Sequence, residues 1–113
     1  MIIADIQKLL CLDVVAGNDH LDNEVAKGYC GDLLSDVMAN ADKGSLWVTI
    51  QGHQNVVAVA VLRDLAGIIM ANGRTPDEET ISKANEEGIP ILLSSLPAFT
   101  IAGRLYESGL TTS

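Results

Sequence analysis

At 113 residues with 48% apolar side chains, the chain holds enough apolar material for one domain with a real core. Only 4% is aromatic, which argues for layers of Ala, Val, Ile and Leu rather than an aromatic-rich barrel. A formal net charge of −8, with seven scattered basic residues, argues against a nucleic-acid partner.

Ile6, Leu9 and Leu10 stand at helical spacing and predict a short first helix over Ile2–Leu10. Val14–Ala16 follows as a strand. Asn18–Glu24 is a polar, acidic loop, and Val25–Cys30 is a short extended piece. In "GDLLSDVMANA", Leu33, Leu34, Val37, Met38 and Ala41 form one helical stripe, with Asp32 as the expected N-cap. Gly44 ends that segment, and "LWVTI" (Leu46–Ile50) is a strand.

Asn55–Leu65 admits two readings. Its four closely spaced valines favour a strand. The interleaved Ala58 and Ala60 and the length favour a buried helix, which we adopt. Arg63 and Asp64 break the apolar run long before it could span a bilayer. Gly67–Ala71 is again a strand. In "TPDEE", Thr75, Pro76 and Glu78 read as a capping box with proline at the first helical position. That helix should run to Glu87 and stop at Gly88. "IPILLSS" is the last strand. Pro97 opens a final helix with Ala98, Ile101, Ala102, Leu105 and Tyr106 on its apolar stripe, ended by Gly109.

Strands thus alternate with helices, which predicts an α/β domain over residues 1–113: a mainly parallel sheet with helices on both faces. Ligands of such sheets bind beyond the carboxyl ends of the strands. The expected ends are Gly17–Asp19, Gln51–Asn55, Asn72–Thr75 and Ser94–Ser95.

Chemistry-bearing residues are few. Asp19, His20, Asp22 and Glu24 share a loop that could hold a divalent ion, but no rigid ligand spacing occurs, and a solvated acidic loop is the plainer reading. Cys11 and Cys30 have no CxxC spacing and read as two unpaired, buried thiols in a reducing, cytoplasmic setting. No signal-peptide pattern occurs, because Asp5 interrupts the apolar start. The turn Gln51-Gly52-His53-Gln54-Asn55 opens a helix without an acid in it, so its amides suit an anion, with Arg74 and Thr75 expected beside it. Asn55 is the expected cap of that helix.

The blocks "GDLLSDVMANA", "LWVTIQGHQNVVAVAVLRDLAGIIMANGRTPDEETI" and "KANEEGIPILLSSLPAFTIAGRLYESG" resemble the DRTGG domain family in order, over roughly Ile2 to Gly109. No literal DRTGG string occurs. The resemblance implies a three-layer α/β/α fold like the N-terminal domain of HPr kinase/phosphorylase. It also implies a regulatory or dimer-forming role beside CBS or catalytic domains. The kinase chemistry itself needs a G-x-x-x-x-G-K-[ST] loop, and no Gly-Lys-Ser/Thr occurs here. The expectation is therefore a non-catalytic regulatory or small-ligand-binding domain, with no required cofactor or metal and an adenine nucleotide as candidate effector. It would act as a homodimer or on a partner in trans. The alternatives are an accessory subunit completing another enzyme's site and a pure dimerisation module. The apolar helix at Val56–Leu62 is where a second chain is expected to supply cover.

Overall fold

The computed structural model describes residues 1–112. Its elements run α1 (Ile3–Leu10), β1 (Asp13–Ala16), β2 (Lys27–Cys30), α2 (Leu34–Asn40), β3 (Ser45–Thr49), α3 (Asn55–Leu62), β4 (Gly67–Met70), α4 (Glu78–Glu87), β5 (Ile91–Leu93) and α5 (Ala98–Glu107). A 3-10 turn at Asn18–His20 interrupts the acidic loop. The strands form one sheet in the order β1-β5-β4-β3-β2. Strands β2 to β5 are parallel, and β1 pairs with β5 antiparallel.

Side-chain alternation sorts the helices into two layers. On β3 and β4, Leu46, Val48 and Ile69 point to one face, where Ile3 and Ile6 of α1 and Ile101 and Leu105 of α5 pack. Trp47, Ile68 and Met70 point to the other, against Val37, the valines of α3, and Ala84 of α4. The three successive crossovers α2, α3 and α4 thus share one face, as repeated connections of one hand require. This is the expected three-layer α/β/α sandwich.

The ambiguous valine-rich segment is a helix. It buries Val56, Val57, Val59 and Ala60 within its own chain, leaving Val61 and Leu62 exposed. Most of the cover expected from a second chain therefore comes from its own chain. Gly88 closes α4 in the left-handed conformation, as its position predicts.

Several local expectations are overturned. Because β1 is antiparallel, Gly17–Asp19 lies at the amino ends of the parallel strands, beside the backbone of Ile89 and Pro90. Tyr106 is 69% exposed rather than part of the buried stripe. Cys11 and Cys30 are free, but both are exposed. Cys11 caps α1 in a left-handed conformation, beyond that helix's buried side.

Asp32 is not an N-cap either; Leu33 holds that place. The Asp32 carboxylate instead accepts hydrogen bonds from the Thr49 hydroxyl (2.8 Å) and the Ile50 amide (3.0 Å). Thr49 is fully buried, and a buried hydroxyl without an acceptor is costly. Asp32→Ala should therefore cost about 1–3 kcal/mol in urea unfolding. Adding Thr49→Val should recover part of that loss, because both partners are then apolar. An unchanged urea midpoint in Asp32→Ala would contradict this account.

Candidate functional site

The carboxyl ends of β3, β4 and β5 carry the loops 50–54, 71–77 and 94–97. The first two are tied through Gly52. Its carbonyl accepts the Asp77 amide (3.0 Å) and the buried Thr80 hydroxyl (2.7 Å). A Cβ at position 52 would stand 3.1 Å from the Thr75 carbonyl oxygen, so the loops meet only because residue 52 has no side chain. The second and third loops are joined by the Asn72 amide on Leu96 O (2.8 Å) and the Gly73 amide on Ser94 O (2.9 Å).

The same ties displace the expected capping box. Helix α4 begins at Glu78, with Asp77 at the N-cap position and no side-chain cap bond. Pro76 is buried just before it, and Thr75 abuts Gly52, which holds this stretch extended.

At α3 the cap is not Asn55, which is already the first helical residue. The Asn55 amide donates to His53 Nδ1 (3.1 Å), and the Val56 amide to the His53 carbonyl (3.1 Å). His53 thus does the work expected of Asn55. Gln51 turns the other way, donating from Nε2 to the Asp32 carbonyl (3.0 Å).

The amides of Gly52, His53 and Gln54 have no hydrogen-bond partner among the described residues. Arg74 is exposed and makes no side-chain hydrogen bond or ion pair among them. The structure therefore brings Gly52 and Thr75 into contact and leaves three donors and a guanidinium open on adjoining loops. Acids lie close: Glu78, Glu79 and Glu86 line an open groove of about 410 Å³ with Gln54 and Lys83. Lys83 is itself paired with Glu86 (4.0 Å) and Glu87 (3.5 Å).

Elsewhere the candidate chemistry does not assemble. Asp19, His20, Asp22 and Glu24 are each exposed, and no metal-holding group of three or more such residues forms among the described residues. No helix is long and apolar enough to cross a membrane. Cys30 lines an apolar groove between α5 and β2. Partial burial first, and the Asp32 charge second, push its thiol above the ordinary value.

That groove is absent from the expectations above. A signal was available for the exposed helix face beside it, since Phe99, Gly103 and Tyr106 repeat at i, i+4 and i+7, out of phase with Ile101 and Leu105.

The profile of the DRTGG domain family matches residues 5–108. No curated protein matches the chain. Among solved structures, the chain is similar to the CBS and DRTGG domains of the regulatory region of Clostridium perfringens pyrophosphatase, complexed with its activator, diadenosine tetraphosphate. The identity is 15% and the TM-score 0.76, over 97% of this chain and 47% of the other. The chain thus spans about half the length of that structure, and the likeness is one of fold.

Two measurements check the local geometry. His53→Ala should cost about 0.5–2 kcal/mol of stability, the range for a lost cap, while Asn55→Ala should cost less. The reverse order would restore Asn55 as the cap. Alkylation of Cys30 by iodoacetamide, followed by peptide mass spectrometry, should be slow at neutral pH. Its rate should go on climbing past the ordinary thiol value before levelling off, because the raised pKa keeps the protonated, unreactive form dominant to higher pH. Neutral alkylation as fast as that of a free thiol would contradict the raised value.

Proposed function

This chain belongs to the DRTGG domain family, and from that premise we propose that it is a non-catalytic regulatory domain whose effector is a small anion, an adenine nucleotide in the first instance. It acts in the cytoplasm, as a homodimer or on a partner in trans. No cofactor or metal enters this reading.

One observation carries it. Three consecutive unpartnered amides, at Gly52, His53 and Gln54, stand at the start of α3, on a loop tied to the one that bears Arg74. Backbone donors at a helix start favour negative charge, and a guanidinium adds a planar, bidentate partner for phosphate. In this reading Gln51 braces the loop against Asp32, and Gly52 admits the close approach of Thr75. His53 and Gln54 present amides, Asn55 begins the helix, and the exposed Thr75 hydroxyl is a further donor. The acids of α4 discriminate: they repel an anion that extends toward α4.

The choice of an adenine nucleotide is supported by the activator named for the pyrophosphatase regulatory region, whose fold this chain shares. The non-catalytic reading is supported by the site's composition. Its one histidine already accepts a hydrogen bond at Nδ1 from the Asn55 amide, and no cysteine lies on these loops.

Isothermal titration calorimetry with diadenosine tetraphosphate, ATP and AMP tests the proposal. Saturable binding to at least one is expected, and Arg74→Ala should weaken it about tenfold or more, as loss of a charge-assisted hydrogen bond does. No saturable heat at millimolar nucleotide would overturn the effector class. Equal affinity in Arg74→Ala would remove the site from this edge.

A further inference from the structure

Helix α5 presents an outward stripe that its own chain leaves uncovered. Phe99 is 90% exposed, and Tyr106, two turns later, is 69% exposed. Between them stands Gly103, with nothing within 4 Å of where its Cβ would be. Glycine weakens a helix interior, and no contact inside this chain calls for one here. Beside the stripe lies a groove of about 100 Å³, lined by Gly28, Cys30, Val48, Ala102, Leu105 and Leu110, with Tyr106 at its margin. That is of the order of the apolar cavities, about 150 Å³, that take up a benzene ring. No residue lining it is charged.

We propose that this stripe is a two-fold self-association surface, on which Phe99 of one copy seats in the α5–β2 groove of a second. Knob and groove lie on the same helix, so a second copy supplies both, and the midpoint of Phe99 and Tyr106 is the Ala102–Gly103 bond. A two-fold axis there lays two α5 helices antiparallel and carries each Phe99 onto its partner's Tyr106 and the adjoining groove. Both knobs and both holes are then filled at once, which is the closed, isologous arrangement of a dimer. Gly103 lets the helix backbones approach at the axis. The net charge of −8 opposes self-contact, but neither Phe99, Gly103 and Tyr106 nor the groove lining includes an acid, and the charged neighbours on α5, Arg104 and Glu107, are of opposite sign. The edge of β2 beside the groove is partly closed already, since the Gly28 amide donates to Thr111 O (3.0 Å), so side-chain packing rather than strand addition is the mode of contact.

This deepens the dimer half of the proposed function and is independent of its ligand half. Sedimentation velocity from micromolar to several hundred micromolar protein tests it, on the wild type, Phe99→Ala, Gly103→Gln and Leu62→Ser, with circular dichroism to verify folding. The wild type and Leu62→Ser, whose exposed leucine lies on α3, should dimerise. Phe99→Ala and Gly103→Gln should weaken the dimer at least tenfold with the helix signal retained. With Cys11→Ser and Cys30→Ser as background, Gly103→Cys should form an intermolecular disulfide on oxidation, because the axis brings the two copies of residue 103 together. A wild type monomeric throughout overturns both the proposal and the homodimer reading. A dimer that survives both α5 substitutions, or fails only in Leu62→Ser, overturns the surface and leaves the homodimer. Nucleotide binding by calorimetry reports on the effector reading whichever result is found.

Discussion

Strands β3 and β4 are buried from end to end, and that constraint governs the rest of the molecule. A strand covered on both faces cannot send its polar groups to water, so every hydroxyl and amide near it needs a partner in the protein. Thr49 finds Asp32, the Trp47 indole N–H finds the Gly31 carbonyl (2.8 Å), and Thr80 finds Gly52. No buried side-chain polar atom among the described residues is left without a partner.

The site inherits its shape from this requirement. Had the loops at the carboxyl edge been free, an anion could have drawn on many amides. The amides of Asn72, Gly73 and Asp77 are committed to joining the loops, and those of Gly52, His53 and Gln54 form the one consecutive run left open on these loops among the described residues. The neighbouring acids of α4 narrow it further.

The opposite layer is under weaker constraint. Helix α5 is held to the sheet by Ile101 and Leu105, with Ala98 packed beside them. Its outer side can therefore carry a glycine at a cost of about 0.5–1 kcal/mol relative to alanine, and two exposed aromatic rings, without endangering the fold. The carboxyl edge of the sheet and the aromatic stripe thus occupy different parts of the domain. The edge belongs to the β3–α3 and β4–α4 loops, and the stripe to α5 on the far face.

Periodicity and stop signals are local, and where structure depends on them the amino-acid sequence was sufficient. The stripe Leu34, Val37, Met38 and Ala41, the helix at Val56–Leu62, the stop at Gly88 and the alternation of strands with helices were all readable, and with them the α/β/α fold; Leu33, expected on that stripe, is instead exposed just before the helix. Gly52 and Thr75 meet because consecutive parallel strands place their outgoing loops side by side. What the tertiary structure alone decided was which partner each polar group takes. Asp32 looked like a cap because its own neighbours are helical; its carboxylate serves Thr49, seventeen residues away. Thr75 looked like the head of a capping box; the decisive contact of that helix is Thr80 with Gly52, twenty-eight residues away. Asn55 lost its expected role to His53, which reaches the same amide from two residues earlier. The direction of β1, and with it the place of Gly17, follows from pairing with β5 at the other end of the chain. Burial likewise depends on what packs opposite, so Tyr106 could sit beside the apolar stripe in sequence and still face outward. Hydrogen-bonding groups are chosen by proximity in space, and composition and spacing along the chain carry no record of that choice.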